Sequence, residues 1–233
     1  MIDICIPAGN EKELLEKAGQ LGYQGVVFLY QFKTNSEVQK KKNELKNFKN
    51  VFVGTYVNAK SVSDVRKLEN LYKDSDLIAV SCQTEELARL ASECRFVDII
   101  FEITLPTGKD GLKYRYSNFN AIIANMMKEH KQSYAVSFSH LLAFEGKQRV
   151  KILGREMQNV YLCRRKIPIV VASFASKPEH MRLAENLSAV GRVLGLNYPQ
   201  SKDAISTAIE NILKRKEAMR DKNYVRAGVR IVG

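Results

Sequence analysis

Residues 166–180 read KIPIVVASFASKPEH, and residues 194–215 read LGLNYPQSKDAISTAIENILKR. These two stretches decide the fold class. Residues 169–174 are a nearly unbroken apolar run rich in valine and isoleucine, the pattern of a strand covered on both faces in a parallel sheet. Ser176 and Glu179 have capping-box spacing, and Pro178 suits a first helical turn. Leu183, Leu187, Val190 and Leu194 fall on one helical face, and Gly195 supplies a left-handed stop. A last helix is expected from about Ser201, with Ala204, Ile205, Ala208, Ile209, Ile212 and Leu213 on one side. The unit is strand, helix, turn, helix, ending on the cations Lys214, Arg215 and Lys216.

The same unit recurs upstream. Apolar runs at residues 2–6, 25–30, 51–57, 77–81, 97–103 and 133–138 alternate with amphipathic stretches of helical period. Gly54 weakens the third strand. Strands alternating with helices make β-α-β units and a parallel sheet. Seven strands, with a short eighth expected near 194–196, favour a closed α/β barrel of the TIM type over an open doubly wound sheet. No break in composition divides the chain, so residues 1–216 are expected to form one barrel domain. Residues 217–233, with Arg220, Lys222, Arg226 and Arg230, are expected to form a basic C-terminal tail that is mobile or orders on a partner.

The totals narrow the function. The 233 residues are 45% hydrophobic, enough for a core, and no apolar run approaches the roughly 18 residues of a membrane span. The N-terminus lacks a basic flank and an apolar leader, and Cys5, Cys82, Cys94 and Cys163 form no C-x-x-C pair. Reduced thiols in a cytoplasmic protein are the expectation. Thirty-seven Lys and Arg against 25 Asp and Glu leave a net charge of +12, which points to a polyanionic partner such as nucleic acid.

The charge is not where a barrel enzyme needs it. Sites in such barrels lie just after the strands. Here those positions are Pro7 to Asn10, Gln31 to Lys33, Asn58 to Lys60, Cys82-Gln83, Thr104, Ser139-His140 and Ser173 to Ser176, with Glu102 the one nearby carboxylate. The chain has three histidines and no H-x-H or H-E-x-x-H, and no catalytic residue and no metal ligand is expected. Cations crowd the helices instead. Lys147, Arg149, Lys151, Arg155, Arg164, Arg165 and Lys166 are opposed only by Glu156. A positive surface that tracks phosphates is the functional reading. The connection at 106–116 adds Lys109, Lys113 and Arg115 with Tyr114 and Tyr116 interleaved, residues suited to phosphates and unstacked bases or to a solvated loop.

The order and spacing of four segments resemble the family of ribonuclease P protein component 3, the archaeal counterpart of the thirty-kilodalton ribonuclease P/MRP subunit. They are MIDI with Asp3, AVSFSHLL at 135–142, VVASFAS at 170–176 and the stretch 194–215. The resemblance implies an archaeal source and a TIM-like barrel related to the PHP metallophosphoesterases. Those enzymes begin with H-x-H at the first strand, where this chain has Asp3, Ile4 and Cys5.

The resemblance further implies a protein subunit that binds no cofactor of its own. It supports a catalytic RNA, which uses magnesium ions, in removing the 5′ leader from precursor tRNA, and it pairs with component 2 and other ribonuclease P subunits. The RNA contacts expected from charge clustering are Lys42, Lys46, Arg115, Arg149, Arg155, Arg164, Arg165, Lys214 and Arg215. A helical face with exposed apolar residues is expected to meet component 2, supplied by the 36–60 region or the last helix. Two other functions remain: a PHP-like phosphoesterase using Asp3, Glu102 and His140 with a metal, and a generic RNA-binding barrel.

Overall fold

A computed structural model describes residues 1–220 together with the short strands β8 (Tyr224–Arg226) and β9 (Val229–Arg230), an antiparallel ribbon. Seven strands form one parallel sheet in sequential order: β1 (Ile2–Cys5), β2 (Gly25–Tyr30), β3 (Val51–Ala59), β4 (Ile78–Cys82), β5 (Ile99–Phe101), β6 (Ser133–Ser137) and β7 (Ile169–Ala172). The sheet curls until its ends meet. Cys5 bridges Ala175 in parallel, and the Ile6 N–H donates to the Ala175 carbonyl at 3.0 Å. The barrel therefore closes on seven strands. Residues 194–196, expected as an eighth strand, are the turn after a helix that ends at Val193, and Gly195 at φ +106° makes the left-handed stop there.

Helices fill the crossovers: α1 (Glu11–Gln20), α2 (Asn35–Leu45), α3 (Val62–Arg66), α4 (Leu68–Leu71), α5 (Glu85–Glu93), α6 (Ala121–Glu129), α7 (Phe138–Leu142), α8 (Gly146–Cys163), α9 (Ala184–Val193), α10 (Tyr198–Ala204) and α11 (Thr207–Arg220). Their starts are chemical. Thr34, Thr84 and Asn120 each accept a backbone N–H of the first turn, and Asn197 with Gln200 forms a capping box. The capping box expected at Ser176 and Glu179 does not form. Residues Pro178–His180 make a single 3-10 turn, and Met181, buried, carries the extended chain into the helix layer before α9 begins.

Period-2 alternation along each strand makes two cores. Val26, Phe28, Val80, Ile100, Tyr134, Val136 and Val171 face the helices. Ile4, Val27, Leu29, Ala79, Ile99, Phe101, Ala135, Val170 and Phe174 fill the barrel. Ala208, Ile209, Ile212 and Leu213 of α11 belong to this inner set, so the last helix is a plug. The expected single last helix breaks after Ile205 because the chain there leaves one core, to which Ile205 belongs, and enters the other.

Asp76 and Asp98, just before β4 and β5, hold the plug in place. Asp76 accepts the Val53 N–H and pairs with Lys42 and Arg220, each at 2.6 Å. Asp98 accepts the Ile78 N–H and pairs with Arg215 at 2.8 Å and Lys216 at 3.3 Å. The division at residue 216 thus falls inside α11. Glu217 to Arg220 are helical, and the rest of the expected tail, apart from the β8–β9 backbone, lies outside the described residues. All four cysteines are free, and among the described residues no helix is long and apolar enough to cross a membrane.

Candidate nucleic-acid interface

The barrel mouth at the strand ends is occupied by the chain's own side chains. Phe174, at φ +47°, turns inward and stacks on Phe101 with ring centroids 4.8 Å apart, and Tyr56 meets Phe101 edge-on at 6.5 Å. Asp3, where the resemblance puts a metal histidine, has both oxygens engaged. Oδ1 accepts the backbone N–H groups of Ser173 and Ile4, and Oδ2 accepts the Ser173 hydroxyl at 2.6 Å. Burial outweighs those donors and raises the Asp3 carboxyl to about 6.

His140 reaches the Thr104 carbonyl at 2.8 Å. Glu156 enters from α8 beneath it, unforeseen at the rim because it lies on a helix distant in sequence. Its carboxylate accepts the Thr104 and Tyr134 hydroxyls at 2.5 and 2.7 Å, and burial raises its pKa. Glu102 ends β5 in a left-handed conformation. Asp3, Glu102 and His140 do not converge, and among the described residues no three His, Cys, Asp or Glu side chains form a group suited to a metal. The donor set does not fit the phosphoesterase alternative.

The cations divide by what they already hold. Arg155 is a correction: it is fully buried, and its guanidinium gathers the carbonyls of Leu105, Thr107 and Gly108 with the Asp110 carboxylate at 2.7 Å. It organises residues 105–116 from within and presents nothing to a ligand. Arg215 is committed to Asp98 and the Lys131 carbonyl, and Lys42 to Asp76. Arg149 donates to the carbonyls of Phe144 and Leu142, and Arg164 to that of Gly195 while lying over the Tyr161 ring. Arg115 is exposed, 3.6 Å from Asp110 and against Gly154. Lys46, Arg165 and Lys214 are exposed and make no ion pair among the described residues. Lys147 and Lys166, at the two ends of α8, are likewise exposed.

Between those ends α8 is apolar on its outer side. Val150, Met157 and Tyr161 are 68, 46 and 66% exposed, and Ile122 of neighbouring α6 is 60% exposed. Their spacings of seven and four place them on one stripe. The exposed apolar face expected on 36–60 or on the last helix lies here instead, because α11 spends its apolar side inside the barrel.

A model of the family described as RNase P subunit p30 matches residues 1–221. The chain belongs to that family. Ribonuclease P protein component 3 of Methanosarcina mazei is 24% identical over 99% of this chain and 95% of its own length, and the protein of the same name from Methanosarcina barkeri is 24% identical with the same coverage. In a cryo-EM structure of archaeal ribonuclease P with mature tRNA, one chain superposes with a TM-score of 0.80 at 21% identity, covering all of this chain and 98% of its own length. A Xaa-Pro dipeptidase with bound methionine shares the fold more distantly, with a TM-score of 0.56 at 10% identity over 92% of this chain and 73% of its own. The p30 barrel in this chain is thus seven-stranded, plugged at one mouth by α11 and filled at the other by aromatic rings.

Proposed function

We propose that this chain is a non-catalytic protein subunit of ribonuclease P that supports the catalytic RNA in removing the 5′ leader from precursor tRNA. Membership of the RNase P subunit p30 family carries this reading. The mouth filled by Phe174 and Phe101 agrees with it, as do the internal hydrogen bonds that hold Asp3, Glu156 and His140. The chemistry and its magnesium ions belong to the RNA. The protein works in the cytoplasm, where its cations lower the electrostatic cost of packing a folded polyanion.

Two parts of α8 divide the work. Its cationic ends, with Lys147, Arg164, Arg165 and Lys166, meet phosphates. Its apolar middle, with Val150, Met157 and Tyr161, docks component 2. Pull-down of the full chain with ribonuclease P RNA and component 2 tests the assembly, and recovery of neither overturns it. Replacing Lys147, Arg165 and Lys166 by alanine tests the RNA face: an unchanged affinity with an unchanged salt dependence removes it.

A further inference from the structure

The barrel rim beside β2 and β3 holds a cavity of about 680 Å³, well apart from α8 in the chain. We infer that this cavity, lined by Phe32, Lys33, Tyr56, Asn58, Lys60 and Lys67, takes one unpaired nucleotide of RNA, its base against Phe32 and its phosphate among the lysines. The inference rests on the proposed role in ribonuclease P and adds a second RNA-binding element to the one on α8.

Each part of a nucleotide finds its chemistry here. The floor is apolar, made by Leu68 and Leu71, both buried. Phe32 is half-buried and is braced from behind by Tyr30, ring centroids 5.3 Å apart, which holds it as a platform. Stacking on such a ring accepts any base. Asn58 is exposed at the lip and carries a neutral amide, which donates and accepts in the pattern of a base edge, while Gln31 hydrogen-bonds Tyr56.

The charge is suitably unspent. Lys33 and Lys60 are exposed and make no ion pair among the described residues, and Lys67 stands 3.7 Å from Asp64 with 71% of its side chain exposed. Asp64, the single carboxylate of the lining, is turned to its own backbone and accepts the N–H groups of Lys60 and Ser61 and the Ser61 hydroxyl. A base inside a duplex could not enter a concavity of this kind, so the ligand is single-stranded.

The test measures binding of the full chain to ribonuclease P RNA over a range of salt concentrations. The double variant Lys33→Ala/Lys60→Ala should lower the slope of log affinity against log salt by about 0.7, the value for one single-strand phosphate. Phe32→Ala should weaken binding roughly tenfold, and Phe32→Tyr should restore it. Because the lysines are exposed, their loss tests the site even if Phe32→Ala disturbs packing. Wild-type binding by the rim variants, beside weakened binding by the α8 variants, overturns the cavity and leaves the subunit role standing. Insensitivity of RNA binding to both sets overturns the role itself. Loss of component 2 capture by the rim variants at unchanged RNA affinity makes the cavity a protein dock and likewise overturns the inference.

Discussion

Asp3 and Ser173, 170 positions apart in the chain, are joined by a hydroxyl–carboxylate hydrogen bond of 2.6 Å and a backbone N–H bond of 2.8 Å. They lie on β1 and just beyond β7, the two ends of the sheet order, so the pair pins the barrel's seam.

That pin titrates. The Asp3 carboxyl is raised by burial from 3.8 to about 6. A carboxyl that is easier to protonate in the folded state favours folding while protonated. Its contribution is full below about pH 4 and is lost as the pH rises through about 6, up to about 3 kcal/mol at 1.36 kcal/mol per unit. Denaturant titrations of the chain and of Asp3→Asn at several pH values should show stabilities that diverge across pH 4–6. Parallel curves would reject this account.

Arg155 is a strut for residues 105–116. Arg155→Ala strands the Asp110 carboxylate and several carbonyls and should cost about 3 kcal/mol. The loop around Asp110 should become the first site of limited proteolysis. Arg155→Lys should recover only part of the loss, because one ammonium cannot span partners arranged for a fork.

Gly54 is required by a close approach. A Cβ there would lie 2.7 Å from Leu29 Cδ2 and 2.8 Å from the Leu77 carbonyl oxygen, and the carbonyl cannot yield. Gly54→Ala should destabilise the barrel by about 1–3 kcal/mol, readable as a lowered Tm, despite alanine's better intrinsic strand behaviour.

For the α8 surface, deleting one cation that neutralises a phosphate should reduce the salt slope by about 0.7–0.9. Lys147→Ala/Arg165→Ala/Lys166→Ala should therefore flatten it by about 2 to 3. Arg155→Lys, which alters no exposed charge, should leave the slope unchanged.

The parallel barrel was legible because buried parallel strands write continuous apolar runs, as at 169–174, and because helix starts such as Thr34 and Thr84 have local chemistry. The fate of individual cations was not legible. Arg155 and Arg165 look alike in sequence, yet Arg155 is sealed by a loop some 45 residues upstream and Arg165 is exposed. Lys42 and Arg215 read as surface cations, but partners that only the fold brings near, Asp76 and Asp98, claim them. Gly54 reads as a weakness because its neighbours lie on other strands. The rim reads as empty because catalytic carboxylates and histidines are the usual signal there, and a phenylalanine, two amides and three lysines carry none of it.

The seam has a consequence for how the molecule breathes. Six of the barrel's seven joints are continuous ladders; the seventh is one bridge, one backbone hydrogen bond and a carboxylate. A cylinder joined so unevenly has a preferred line of rupture. Partial opening should run along that line, releasing the amides of Ile6 and Ser173 to solvent exchange before those of β3 and β4, with the α11 plug still seated below.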